Sequence, residues 1–180
     1  LYPVLAARAK TADRWSSEAP ASLDGMAYMQ YVQWVENGLV FSLEPDYTMI
    51  RWLQDTFTGT RPVIMEGLTT EYRWGNRVSI YTGYPSVIGW NWHQRQQRTW
   101  QADEVWQRVA AVNEAYTTTD ANRAREIMAL YEVDLVVVGE LEKALYGPDT
   151  GETFERMVQS GLLEKIYESD GTRVFRFLKG

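Results

Sequence analysis

Apolar residues recur at helical spacing in three stretches of the chain and run unbroken in two others. In LEPDYTMIRWLQDTF (43–57), Met49, Ile50, Leu53 and Phe57 form one stripe, Pro45 suits a first helical turn and Asp46 complements the helix dipole. The spacing predicts a helix there. Thr58-Gly59 then ends it, and PVIMEG (62–67) is expected to be a buried strand ending near Glu66. A second helix is expected over Ala102–Tyr116, where Val105, Trp106, Val109 and Val112 keep helical spacing. A third should start at Thr119 or Asp120, either a good N-cap, and turn Ala124, Ile127, Met128 and Tyr131 inward. It leads into DLVVVG (134–139), whose continuous apolar character marks a central strand buried on both faces. ETFERMVQS follows as a short helix stopped at Gly161, and LLEKIYE and TRVFRFL flank the hairpin signal Ser169-Asp170-Gly171.

Helix alternating with strand predicts an α/β fold: a small mixed sheet with flanking helices and an N-terminal arm. Residues 1–25 are assigned to the arm, where Arg8, Lys10 and Arg14 sit among small residues and breakers, and residues 26–180 to a single α/β domain. Met26–Phe41 is apolar on most sides; it is expected to be a buried helix or two short packed pieces, with a turn at Asn37-Gly38. Residues 67–83 have no clear periodicity, with RVSIYTG a candidate short strand. The segment after Pro85 is expected to turn helical.

Composition narrows the chemistry. With 180 residues the chain can bury a sizeable core without staples, and its lack of cysteine excludes disulfides, thiolate metal sites and a thiol nucleophile. A net charge of −6 without any basic tract argues against nucleic acid as a partner. Aromatic residues make up 13%, and eight Trp and eleven Tyr outnumber five Phe. That balance favours half-buried rings with a polar handle: core, sugar platform or membrane-interface belt. No window approaches the ~20 apolar residues of a membrane span. The opening LYPVLAARAK has neither an initiator methionine nor a signal pattern, so an excised piece of a longer protein is expected.

The densest candidate site is GYPSVIGWNWHQRQQR (83–98), with two tryptophans, the one histidine of the chain, three glutamines, two arginines and no acid. On a helix running from Pro85, Gly89, His93 and Gln96/Gln97 would share one side and Trp92, Arg95 and Thr99 another. Amides and guanidinium groups grip hydroxyls and anionic oxygens, and indole faces stack on sugar C–H surfaces. The same pattern suits an amphipathic connector whose Trp residues fill the core. His93 could also serve as general base or metal ligand, with Glu66, Glu140 or Glu142 supplying carboxylates, but it has no partner at metal-ligand spacing. In GELE, Glu140 and Glu142 would pair if extended; acids in the first turn of a helix are the commoner explanation. Glu71, Tyr72, Arg73, Trp74 and Arg77 form a further cluster suited to a phosphate, a sugar acid or loop-ordering cation–π contacts. No dinucleotide, phosphate-loop or serine-elbow motif is present.

Taken in order, LDGMAYM, DYTMIRWLQDT…RPVIMEG, SIYTGYPSVIGWNWHQRQQR and ALYEVDLVVVGELEKALYG resemble the C-terminal region of the YYY-type membrane proteins of Chloroflexi and Archaea. That uncharacterised family is related to C-type glycosyltransferases. The resemblance covers most of residues 1–178 and maps Gly83, Pro85, Gly89, Trp90, His93 and Arg98, with Glu142 and Tyr146. It implies a multi-spanning bacterial or archaeal parent acting on a polyprenyl-phosphate-linked sugar, with this chain as its extracytoplasmic tail. Its partners would be the membrane-spanning part of the same chain and a lipid-linked sugar or glycan, and no cofactor or metal is implied. The domain would position substrate while the catalytic acid lies elsewhere in the parent. Arg77, Trp90, His93, Gln97, Arg98 and Glu142 are the expected substrate-binding residues. Two alternatives stand beside this reading: a ligand-free module packing on its own membrane spans, and a hydrolase using His93 with Glu140 or Glu142.

Overall fold

The computed structural model describes residues 2–11 and 18–179. Helix α1 (Tyr2–Thr11) carries Arg8 and Lys10; Arg14 lies outside the described residues. A 3-10 turn at Ala27–Gln30 leads into a hairpin of β1 (Gln33–Glu36) and β2 (Leu39–Ser42), and then α2 (Glu44–Thr56) and β3 (Ile64–Met65) follow. Next come α3 (Arg77–Thr82), α4 (Asn91–Gln97), α5 (Ala102–Thr117) and α6 (Ala121–Leu130). The chain closes with β4 (Leu135–Val138), α7 (Glu140–Tyr146), α8 (Glu152–Gln159), β5 (Leu163–Ser169) and β6 (Thr172–Phe177). No helix among the described residues is long and apolar enough to cross a membrane.

The main sheet has the order β3-β4-β6-β5, parallel between β3 and β4 and antiparallel elsewhere, so the mixed α/β architecture holds. Side chains alternate across it with period two. Met65, Val136, Val138 and Phe175 face one core with α5, α6 and α8; Ile64, Leu135, Val137 and Val174 face the other with α2, α3, α7 and the hairpin. That two-sided burial is why DLVVVG is continuously apolar.

Local signals explain most boundaries. Asp120 caps α6 by accepting a 2.9 Å hydrogen bond from the Asn122 N–H. Asp170 (φ 48°) and Gly171 (φ 77°) turn the β5–β6 hairpin, and Asn37 (φ 49°) and Gly38 (φ 81°) do the same between β1 and β2. The Met26–Phe41 segment is therefore a 3-10 turn followed by most of a hairpin, with the turn where Asn37-Gly38 places it.

Two expectations are corrected. RVSIYTG is not a strand: residues 77–82 form α3, because the Glu66 carboxylate accepts from the Val78 and Ser79 N–H groups at the helix start (3.1 and 3.3 Å). The chain after Pro85 is extended rather than helical. Ile64 donates its N–H to the Pro85 carbonyl (2.8 Å) and accepts from Val87 (3.1 Å), so residues 85–87 run parallel to β3 along its free edge. The helix of that segment begins only at Asn91.

Candidate functional site

Because β3 and β4 are parallel, their carboxyl ends come together, and this is where an open α/β sheet ordinarily keeps a ligand crevice. Here it is filled from within. Arg77, at the start of α3, is fully buried and faces three carboxylates: Asp46 from α2, Glu66 after β3, and Glu142 from α7. The pairing with Glu142 is bidentate, with Nη1 and Nη2 each donating at 3.0 Å. Glu142 also accepts from the N–H groups of Gly67 and Gly139, both at 2.8 Å, and so ties the two strand ends to α7. Arg77 Nε lies 2.8 Å from Asp46 Oδ2 but off the line of its N–H, so that contact is an ion pair rather than a hydrogen bond. Asp46 is held in addition by the Trp74 indole N–H at 2.6 Å.

One guanidinium against three carboxylates leaves a formal excess of two negative charges in a buried space. Burial pushes the Glu66 carboxyl up to about 7, against the pull of Arg77 and the Val78 N–H. Burial also raises Asp46, with Arg77 and Trp74 opposing. For Glu142 burial is overcome by Arg77 and the two backbone N–H groups, and its carboxyl stays below the usual range. Burial alone would lower Arg77, but Asp46 and Glu142 more than offset that and hold it charged.

Arg77 and Glu142, expected on a binding surface, are thus part of the core: each is 0% exposed and paired to the other within the chain. Their side chains cannot line a substrate face in this fold. Glu140 and Glu142 sit in the first turn of α7, the helix-start arrangement, with Glu140 paired to Lys143 (2.6 Å). His93 shares no hydrogen bond with either acid, so the hydrolase alternative lacks its dyad; its Nε2 instead lies 2.7 Å from the Tyr72 hydroxyl.

The remaining expected residues gather on α4. Tyr72, in a left-handed conformation (φ 64°), packs its ring 5.2 Å from Trp90 at a tilt of 54° and meets His93 edge-on at 5.2 Å. On the adjoining side, the Arg95 guanidinium lies between two indoles, 5.0 Å from Trp92 and 4.5 Å from Trp106 of α5. Trp92 is 50% exposed, Trp106 47% and Trp100 90%. The expected i, i+3 pairing of Trp92 with Arg95 is therefore present. Gln96, Gln97 and Arg98 are exposed, and their side chains make no hydrogen bond among the described residues. The Glu71 carboxylate anchors the start of α4 by accepting from the Trp92 N–H at 2.6 Å. Tyr72 and Trp106 were not singled out as binding residues. Tyr72 belonged to a cluster visible in the sequence, whereas Trp106 was assigned to the inward stripe of its helix. Among the described residues no three acidic or histidine side chains form a metal-ligand set.

No family model matches the chain, and no curated protein does. A solved structure to which it is similar is the C-terminal globular domain of the oligosaccharyltransferase from Archaeoglobus fulgidus. The identity is 10% and the TM-score 0.44, covering 73% of this chain and 95% of that one.

Proposed function

We propose that this chain is the extracytoplasmic domain of a glycosyltransferase-like multi-spanning membrane protein, and that its α4 face positions a glycan or lipid-linked sugar without itself carrying the chemistry. The observation that carries the reading is the pair of aromatic clusters, Tyr72–Trp90–His93 and Trp92–Arg95–Trp106, together with three uncommitted polar side chains, Gln96, Gln97 and Arg98. Indole faces offer C–H stacking platforms, and Arg98 and the glutamines offer hydrogen bonds to hydroxyl and phosphate oxygens. The membrane setting and the sugar-linked parent rest on the sequence resemblance.

A second reading, favoured by the nearly complete exposure of Trp100, is that the same face packs against the membrane-spanning part of the parent. Both are tested by titrating the domain with oligosaccharides and with a short polyprenyl phosphate, following tryptophan fluorescence. Saturable binding lost in Trp92→Ala and Arg98→Ala, with unchanged thermal stability, is the expected result. Absence of binding, together with parental assembly lost in the same variants, would replace the first reading by the second.

A further inference from the structure

The opposite end of the sheet is open. The chain leaves α2 through Phe57–Thr60, passes Arg61 and Pro62, and enters β3; Thr82–Tyr84 return beside it before the 85–87 segment pairs with Ile64. Between these two strands of chain lies a cavity of about 480 Å³. A second, of about 390 Å³, shares Phe57, Thr60 and Arg61 with it and continues past Asp134 and Arg176 at the amino end of β4 and the carboxyl end of β6. Together they form a trench, with Phe57, Thr60 and Arg61 common to both halves.

The charges along this trench are nearly all spent. Arg176 donates to Glu164 at 3.1 Å, and Asp134 accepts from the Val63 N–H (2.8 Å) and from Lys179 (2.7 Å). Arg61 alone is left: it is exposed and has no hydrogen bond or ion pair among the described residues. The hydroxyls beside it have a fixed polarity. Thr58 donates its proton to the Gln54 carbonyl and Thr60 donates to the Phe57 carbonyl, both at 2.9 Å. Each oxygen is therefore left with acceptor capacity only, suited to a ligand's O–H donor. Gly59 (φ 80°) and Gly83 (φ 73°) bring bare backbone to the two walls, and a Cβ at either would meet nothing within 4 Å. Phe57 and Tyr84 supply apolar wall.

We propose that this trench binds a hydroxylated ligand bearing one oxyanion, a sugar phosphate or a sugar acid, with Arg61 on the oxyanion and Thr58 and Thr60 accepting from its hydroxyls. The site is separate from the α4 face and independent of the reading given to it: the 85–87 segment runs the length of β3 between them.

Amide NMR titrations of the 180-residue chain with glucose 1-phosphate, glucuronate, glucose and inorganic phosphate test this. Glucose 1-phosphate or glucuronate should give saturable shifts at Thr58–Arg61 and Thr82–Tyr84, with glucose and inorganic phosphate each at least tenfold weaker. Shifts with glucose 1-phosphate alone identify the phosphate as the group read; equal shifts with glucuronate extend the site to carboxylates. Arg61→Ala should lose tenfold or more in affinity with little change in thermal midpoint, since the side chain has no hydrogen bond or ion pair to lose. Arg61→Lys should recover part of it. Glucose binding as tightly as the anions, inorganic phosphate binding as tightly as glucose 1-phosphate, or undiminished binding in Arg61→Ala would each overturn the proposal. Shifts confined to Trp90–Arg98 would overturn it too while leaving the α4 reading intact.

Discussion

Glu66 makes the stability of this domain depend on pH in an unusual direction. In the unfolded chain its carboxyl releases a proton near 4.5; in the fold it holds the proton to about 7. Between those values the folded state binds more protons than the unfolded one, so stability falls as pH rises through this window. A rise from 4.5 to about 7 corresponds to roughly 3 kcal/mol, a large fraction of the stability of an ordinary domain. Asp46, also raised by burial, acts in the same sense. Glu142, held low, acts the other way, but its stabilising charge is lost only as pH falls below 4.5.

The assay is urea unfolding followed by tryptophan fluorescence between pH 4.5 and 8, on the wild type and Glu66→Gln. The amide keeps an acceptor for the Val78 N–H but carries no titrating charge. At pH 5 the two proteins should differ by no more than about 1 kcal/mol, the scale of one altered hydrogen bond. Between pH 5 and pH 8 the variant should gain about 2.5 kcal/mol relative to wild type. A wild-type profile flat across this window, or a variant that keeps the wild-type slope, refutes the view that the buried charge excess is settled on Glu66.

Two further substitutions probe the fold that holds the cluster. Gly67→Ala would place a Cβ 2.9 Å from both Glu142 Oε1 and Leu145 Cδ1, so it should cost about 1–3 kcal/mol in urea unfolding. Asp120→Ala removes the cap of α6 at an exposed position and should cost about 1 kcal/mol, lowering the thermal midpoint by about 2–4 °C in calorimetry.

The elements legible in the sequence are those whose burial pattern is one-sided or complete. The stripe of α2, the cap and stripe of α6, the run of β4 and the Asp170-Gly171 turn all state their own environment locally. What failed was set by distant partners. RVSIYTG has the composition of a strand, and α3 exists because the Glu66 carboxylate holds its first N–H groups from twelve residues away. Residues 85–87 are extended because the free edge of β3 needs a partner, which no local periodicity reveals. The cluster was half visible: Glu66 and Glu142 both follow strand ends, and those strands are parallel. Nothing in the sequence placed Arg77 between them, 65 residues from Glu142. Asp46 could be read as a helix-dipole charge, which its position in the first turn allows, while its burial against Trp74 was not legible. On α4 the residue types are legible and their partners are not, since Tyr72 and Trp106 come from other segments.

Arg77 stands where the sheet would otherwise keep an open crevice, and this makes a last prediction that separates filling from mere packing. Arg77→Ala should leave three buried carboxylates around a guanidinium-sized space, at a cost of about 3–5 kcal/mol. If the space is shaped for the cation, free guanidinium should enter it and stabilise the variant. At a site affinity on the order of 10 mM, 50 mM guanidinium chloride would contribute about 1 kcal/mol, whereas its general denaturing effect at that concentration is only about 0.2 kcal/mol. The variant should thus be stabilised by a reagent that slightly destabilises the wild type, relative to sodium chloride at equal ionic strength. If low guanidinium leaves both proteins equally unstable, the cluster is not a pre-shaped cation site, and its three carboxylates have taken up protons or opened to water instead.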